Sequence, residues 1–104
     1  MNENKWKYIP DGKIVVDFSD CKYVRDFHEK LKESFGFPNY YGRNWDALWD
    51  CLRDFAISEE SKREIVLRGL NQMPEDLRKY SQKGIRLFEE LEQKYPILHF
   101  IIEQ

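Results

Sequence analysis

Three short apolar runs lie along this chain, separated by long segments of mixed polarity. The runs at 14–18, 64–70 and 97–102 are rich in Ile, Val, Leu and Phe and predict β-strands. Continuous apolar runs are typical of strands covered on both faces, which is the usual setting of parallel strands. Parallel neighbours require long crossover connections, and the intervening segments are long enough to hold helices.

The segment after the first run carries apolar residues at helical spacing. The periodic positions are Val24, Phe27, His28, Leu31 and Phe35. Either Ser19 or Asp20 can cap the start of this predicted helix, and Gly36 ends it. Asn44 is the expected N-cap of a second helix, which carries Asp46 in its first turn, where the helix dipole favours an anion.

The late segment predicts two further helical pieces. Pro74 is expected at the first position of one piece, and Gly84 is expected to separate it from a longer helix that ends at Pro96. The whole pattern therefore predicts a small single α/β domain over residues 1–104, with a three-stranded, mainly parallel sheet and about four helices. We expect residues 1–12 to form a loosely ordered N-terminal extension.

The composition is that of a folded protein. Of the 104 residues, 41% are hydrophobic and 15% are aromatic, which excludes global disorder. The polar start of the chain predicts no signal peptide, and no window is apolar enough to span a membrane. Cys21 and Cys51 make neither a disulfide framework nor a metal-binding spacing. We therefore expect a cytoplasmic protein with no metal, no cofactor and no membrane contact.

The second predicted helix has an unusual polar side. At about 100° per residue, its apolar side holds Leu48, Cys51, Leu52 and Phe55. Its polar side consists of Asp46, Trp49, Asp50 and Arg53. An exposed Trp is rare in a solvent-facing stripe, and like charges at i and i+4 repel by a few tenths of a kcal/mol. The polar side is therefore predicted to be a contact surface for a cationic target.

The charge around this helix is acidic. Residues 36–60 carry five acids against two bases, a local charge of −3. This balance disfavours direct binding of nucleic acid, which requires clustered Lys and Arg. The nearest approach to such a cluster, Lys62, Arg63 and Arg68, is expected to be solvated surface. A stacking platform for single-stranded RNA is an alternative, but nearby Asp residues would repel phosphate from its rings, Tyr40, Tyr41, Trp45 and Trp49.

An acid–base enzyme is a third class of function. Asp46 and Asp50 lie one helical turn apart, but a solvated helix surface does little to separate their pKa values. His28 is expected at the margin of the core, and His99 as a hydrogen-bonded group inside the last strand. No Ser lies in a nucleophile elbow, and no Gly-rich loop could cradle a phosphate. We therefore predict that the chain is not an enzyme.

The run 37–52, FPNYYGRNWDALWDCL, closely resembles the barstar family of intracellular ribonuclease inhibitors. The segment 26–31 is similar to the family's first helix, and Phe88, Glu90 and the last strand also fit, so that the resemblance covers most of residues 13–103. It implies a three-stranded parallel sheet with helices, in agreement with the hydrophobic pattern. It also implies tight, stoichiometric blocking of a microbial ribonuclease inside the cell that makes it.

The resemblance implies roles for individual residues. Asp50 matches the Asp that takes the place of a substrate phosphate in the nuclease cleft, and Asp46 is the accompanying acid. The full predicted partner-binding surface is Tyr40, Asn44, Asp46, Trp49, Asp50, Arg53 and Glu90. Arg53 stands where the family has a small hydroxyl residue, and it could pair with Asp50 or stack on Trp49. Lys94 stands in place of an acid on the last helix.

The partner that the resemblance implies is a basic-cleft microbial ribonuclease or a toxin nuclease domain. The chain would then be an immunity protein that is monomeric when free. Charge complementarity would speed its encounter with the nuclease, and desolvated ion pairs would slow its release. The alternative that stays open is a protein-binding module of the same fold whose target is not a nuclease.

Overall fold

The computed structural model describes residues 12–103. Its elements are β1 Lys13–Asp17, α1 Val24–Phe35, α2 Trp45–Ser58, β2 Arg63–Arg68, a 3₁₀ helix Leu70–Gln72, α3 Glu75–Lys94 and β3 Leu98–Glu103. The extension predicted over residues 1–12 lies outside the described part of the chain, except for Gly12. No helix within residues 12–103 combines the length and the apolarity that crossing a membrane requires.

The three strands form one parallel sheet in the order β1-β2-β3. Ile14 lies opposite Ile65, and Ile65 lies opposite Phe100, so that β2 is the central strand. Helices α1 and α2 connect β1 to β2, and α3 connects β2 to β3, as parallel pairing requires. The predicted α/β class and the three-stranded parallel sheet are thus confirmed.

The sheet is covered less evenly than the apolar runs predicted. In β1 the residues alternate between exposed and buried, with Ile14 and Val16 facing the core. The central strand β2 buries residues 65–67 in succession. The other edge strand, β3, is fully buried only at Leu98. Position in the sheet, which hydropathy does not encode, therefore decides how much of each run is buried.

Arg63 is not the solvated residue that the sequence predicted. Its side chain is 2% exposed and forms an ion pair with Glu59, and its guanidinium lies 5.6 Å from the centre of the Phe55 ring. Arg68 is exposed, as predicted, and its Nε donates to Oε1 of Glu103 at 2.6 Å. Both arginines are therefore engaged in ion pairs within the chain, unlike the free cations of a nucleic-acid-binding cluster.

The late segment forms one continuous helix, α3, rather than the two pieces predicted. The described residues therefore contain three α-helices instead of about four. Gly84 is buried in the middle of α3, where a Cβ would lie 3.1 Å from Cζ3 of Trp45 and 3.4 Å from Cζ of Phe27. Gly84 thus lets the Trp45 ring pack directly on the helix backbone. Close packing, and not a helix break, therefore explains the glycine at this position. Pro74 is the N-cap of α3 and not its first residue.

Helix α1 begins later than predicted. Its N-cap is Tyr23, and not Ser19 or Asp20. The carboxylate of Asp26 accepts hydrogen bonds from the backbone N–H groups of Lys22 and Tyr23, at 3.0 and 3.1 Å. These backbone hydrogen bonds hold the pKa of Asp26 below its ordinary value. The helix start is therefore stabilised by an acid within its own first turn.

His28 lies deep in the core rather than at its margin. Its Nδ1 is 2.5 Å from the hydroxyl of Tyr41, and its Nε2 is 2.7 Å from the hydroxyl of Tyr80. Trp45 stacks on Tyr80, with ring centres 4.4 Å apart. Burial, with a further contribution from the Arg43 cation, lowers the pKa of His28 to about 4. The His28 cluster, which consists of His28, Tyr41, Trp45 and Tyr80, thus joins α1, the loop before α2, α2 and α3.

The substitution Gly84→Val should lower the free energy of unfolding by about 1–3 kcal/mol, because the added side chain would be forced against Trp45 and Phe27. Denaturation in urea measures this change. Gln82→Val is the matched control, since Gln82 is exposed on the same helix and the change alters little beyond helix propensity. A Gly84→Val protein as stable as the Gln82→Val protein would contradict the packing explanation.

The His28 cluster predicts a stability that depends on pH. Unfolding returns the His28 pKa from about 4 to its ordinary value of 6.5, so the unfolded chain binds more protons between these two pH values. The stabilisation from neutral His28 is therefore fully present above pH 6.5. It should fall by roughly 3 kcal/mol as the pH drops to about 4.

Urea denaturation at a series of pH values measures this dependence. The steep fall in the free energy of unfolding between pH 6.5 and about 4 should be absent in His28→Gln. It should be kept in His99→Gln, because the side chain of His99 is 43% exposed and lies outside the cluster. An NMR titration in which the His28 imidazole has a midpoint near 6.5 in the folded protein would refute the prediction.

Candidate protein-binding site

The loop before α2 carries one Tyr to the surface and the next into the core. Gly36 ends α1 in the left-handed conformation, with φ at 73°, as predicted. The backbone N–H of Tyr41 then donates to the carbonyl of Pro38 at 3.0 Å, which closes a turn. Tyr40, inside this turn, is 63% exposed, whereas Tyr41 is buried. The loop thus packs Tyr41 into the core and presents Tyr40 to solvent.

Two residues fix the end of this loop to the helices on either side. Arg43 adopts φ at 51°, in the left-handed region, and its Nε donates to Oε1 of Glu29 in α1 at 2.6 Å. Asn44 is the N-cap of α2, as predicted: its Oδ1 accepts from the backbone N–H of Ala47 at 2.8 Å. Its Nδ2 donates to the carbonyl of Gly42 at 3.2 Å. Both ends of the Asn44 amide are therefore engaged in holding the loop.

Helix α2 has the two sides that its sequence predicted. The apolar side is buried and comprises Leu48, Cys51, Leu52 and Phe55. Burial raises the pKa of the Cys51 thiol to about 11, so this residue serves as a small hydrophobe. On the polar side, Asp46 and Asp50 are exposed as expected. Trp49, however, is half-buried rather than exposed, because part of its ring packs against the core beside Leu87 of α3.

Arg53 lies between two carboxylates of α2. Its Nη1 is 3.4 Å from Oδ1 of Asp50, and its Nη2 is 3.4 Å from Oδ1 of Asp54. The sequence left open whether Arg53 pairs with Asp50 or stacks on Trp49. The structure has the pairing with Asp50. Because all three side chains are at least 40% exposed, water screens these pairs, and each contributes about 0–1 kcal/mol. A partner can separate Arg53 from Asp50 at little cost.

A groove between α2 and α3 joins the polar side of α2 to the late helix. Its volume is about 320 Å³. This α2–α3 groove is lined by Trp45, Asp46, Trp49, Lys83, Arg86, Leu87 and Glu90. Folding thus brings Glu90 to the same depression as Asp46 and Trp49, three of the predicted site residues. Asp50 and Arg53 lie outside the groove, one turn or more further along α2.

The sequence pattern did not single out Lys83 and Arg86 as site residues. A signal was present, since Lys79, Lys83, Arg86 and Glu90 recur at the spacing of one helix face. Periodicity does not say, however, which neighbouring helix such a face lies beside. Lys94, in the last turn of α3, does not line the groove.

The two His residues lie away from the groove, and the described residues offer no group that could bind a metal ion. His99 is half-exposed rather than inside a buried strand, and its Nδ1 donates to Oε2 of Glu92 at 3.0 Å. Neither His99 nor His28 lines the α2–α3 groove. Within residues 12–103, no group of three or more His, Cys, Asp or Glu side chains could hold a metal ion. Because Tyr41 is buried, its ring cannot stack on the bases of a single-stranded RNA.

Comparison with known proteins adds to this geometry. The Bacillus subtilis (strain 168) protein named "Putative ribonuclease inhibitor YrdF" is 52% identical over 40 residues, which is 38% of this chain and less than half, 44%, of that protein. A family model described as "Barstar (barnase inhibitor)" matches residues 13–100. This description is of an inhibitor, in agreement with the prediction that the chain is not an enzyme. Because this match runs from β1 into β3, the chain belongs to the barstar family.

Proposed function

We propose that this chain is a stoichiometric inhibitor of a microbial ribonuclease, and that it blocks the basic RNA-binding cleft of the nuclease with the polar side of α2 and the loop before it. The observation that carries this proposal is the position of Glu90, which lines the α2–α3 groove together with Asp46 and Trp49. Two acids and an aromatic ring from two helices thus border one depression. The family description and the name of the relative support a ribonuclease as the target.

The charges of this surface suit a cleft that binds RNA, because such a cleft must carry cations. Within the described residues, Asp46 and Glu90 make no ion pair, so their charge is available to a partner. The side chain of Asp50 is 61% exposed. In this proposal Asp50 stands in for a substrate phosphate, because its carboxylate offers anionic oxygens to the arginines that would hold one.

Two aromatic side chains supply the apolar contact. Tyr40 is 63% exposed at the tip of the loop, and Trp49 is half-buried at the edge of the groove. Tyr and Trp are the residues that most often anchor protein interfaces. Since part of the Trp49 ring is already packed against the core, it would lose little conformational freedom when a partner covers the rest.

The loop that carries Tyr40 is ordered before any partner binds. The contacts of Arg43 with Glu29, of Asn44 with the start of α2, and of Tyr41 with His28 hold it from three sides. Binding therefore does not have to order the loop, which favours tight association.

We further infer the setting of this activity. Residues 1–104 act as one domain that is monomeric when free, and the chain protects the cell against a nuclease that the cell itself makes. Cys21 and Cys51 are both buried as free thiols, which suits the reducing cytoplasm.

A protein-binding module whose target is not a nuclease is the second candidate. The observation that favours it is Arg53, which places a cation between Asp50 and Asp54 in the middle of the proposed surface. Titration of several microbial ribonucleases, barnase among them, with the purified chain separates the two candidates. Inhibition that is complete at one-to-one stoichiometry supports the first, and its absence across all of them supports the second.

The substitution Asp50→Ala should weaken binding to the inhibited ribonuclease by at least about 2 kcal/mol, because it removes the proposed phosphate mimic from the centre of the contact. Folding should be nearly unchanged, since this side chain is largely exposed. Calorimetry measures the binding, and Glu33→Ala, which removes an exposed acid from α1, is the matched control. An Asp50→Ala protein that binds like the Glu33→Ala protein would rule out this role.

The substitution Arg53→Ala should tighten binding to the same ribonuclease by up to about fivefold, because Asp50 would no longer have to be separated from a cation. The inhibition constant at low ionic strength measures this effect. Lys62→Ala is the control, since it removes an exposed cation outside α2. Weaker inhibition by Arg53→Ala would show instead that Arg53 contacts the partner directly.

A further inference from the structure

The two basic residues of the α2–α3 groove differ from the other cations near the proposed surface. Arg53 lies against Asp50 and Asp54, and Arg43 pairs with Glu29. Lys83 and Arg86 make no ion pair within residues 12–103. Both cations are therefore free of a direct ion pair, in a groove that Asp46 and Glu90 also line.

The surroundings of these two cations would strengthen their electrostatic interaction with a partner. They are three residues apart on α3, where like charges repel by a few tenths of a kcal/mol. The opposite wall of the groove carries Trp45 and Trp49, with Leu87 between the helices. Apolar walls exclude water when a partner covers them, and a charge–charge contact there is screened less than one on an open surface.

An inhibitor surface that was uniformly negative would not place two cations, Lys83 and Arg86, beside its acidic residues. If the nuclease presented only cations to α2 and α3, Lys83 and Arg86 would face like charges, and such a juxtaposition opposes binding strongly. An acidic group on the partner opposite these two residues, beside the cations that face Asp46 and Asp50, would make the two surfaces complementary in charge.

Resting on the proposed function, we propose that Lys83 and Arg86 are specificity-determining residues that receive a carboxylate side chain of the partner ribonuclease in the α2–α3 groove. The partner is thus a nuclease with an Asp or Glu at the edge of its basic cleft. A carboxylate suits the groove better than an RNA phosphate, because a nucleic acid strand would bring further phosphates against Asp46 and Glu90. A nuclease with a wholly basic rim would bind more weakly, because its cations would repel Lys83 and Arg86. Repulsion of this kind makes an interface specific.

The test compares a groove variant with a control of equal net charge. Lys83→Glu with Arg86→Glu reverses both groove cations, and Arg25→Glu with Arg78→Glu reverses two exposed cations outside the groove. Each is titrated against the ribonuclease that the wild-type chain inhibits, at low and high salt, after circular dichroism has shown that it is folded. Lys83→Gln with Arg86→Gln, which only removes the charges, replaces the groove variant if reversal prevents folding.

The groove variant should inhibit about tenfold more weakly than the wild type or worse, mainly through faster dissociation, and high salt should change the difference little because the contact is shielded from water. The control should stay close to the wild type. Equal or tighter inhibition by the groove variant overturns this inference and leaves the proposed function standing. Failure of the wild-type chain to inhibit any ribonuclease overturns both. Binding of a single-stranded RNA oligonucleotide that is lost in the groove variant would assign the cations to RNA and overturn the inference as well.

Discussion

The buried imidazole of His28 holds the proposed binding surface in one arrangement. Its two nitrogens reach Tyr41 in the loop and Tyr80 in α3, and Trp45 at the start of α2 stacks on Tyr80. Burial keeps the ring neutral, so one ring nitrogen donates to a Tyr hydroxyl and the other nitrogen accepts from the second Tyr hydroxyl. The direction of the loop and the separation of α2 from α3 therefore depend on one residue that does not itself reach the surface.

The surface supported by this cluster is mixed in charge. Asp46 and Glu90 are unpaired within the described residues, as are Lys83 and Arg86 of α3, and Asp50 shares Arg53 with Asp54. A field of one sign would attract any basic protein. A patterned field instead favours a partner whose charges have the complementary pattern, and it penalises partners that do not. If the proposed surface binds a ribonuclease, its mixed charge would thus select among ribonucleases.

Two features that depend on a few neighbouring residues agree with their predictions, whereas the predicted starts of α1 and α3 do not. Gly36 ends α1 and Asn44 caps α2, because left-handed backbone and capping hydrogen bonds are local events. The larger differences have a different origin. The sequence predicts a helix break at Gly84 because the ring that packs on it belongs to another helix, and it predicts His28 at the margin of the core because both hydrogen-bond partners of His28 are distant in sequence.

The strands, the helical periodicity, the two sides of α2 and the resemblance to the barstar family follow from the sequence alone, since each depends on residues close together along the chain. The position of Glu90, Lys83 and Arg86 across a groove from Trp45 and Trp49 follows only from the packing of the helices. Periodicity defines the faces of each helix separately. Which faces meet depends on the position of α2 and α3 on the sheet and on the close approach that Gly84 allows, and these are properties of the packed chain.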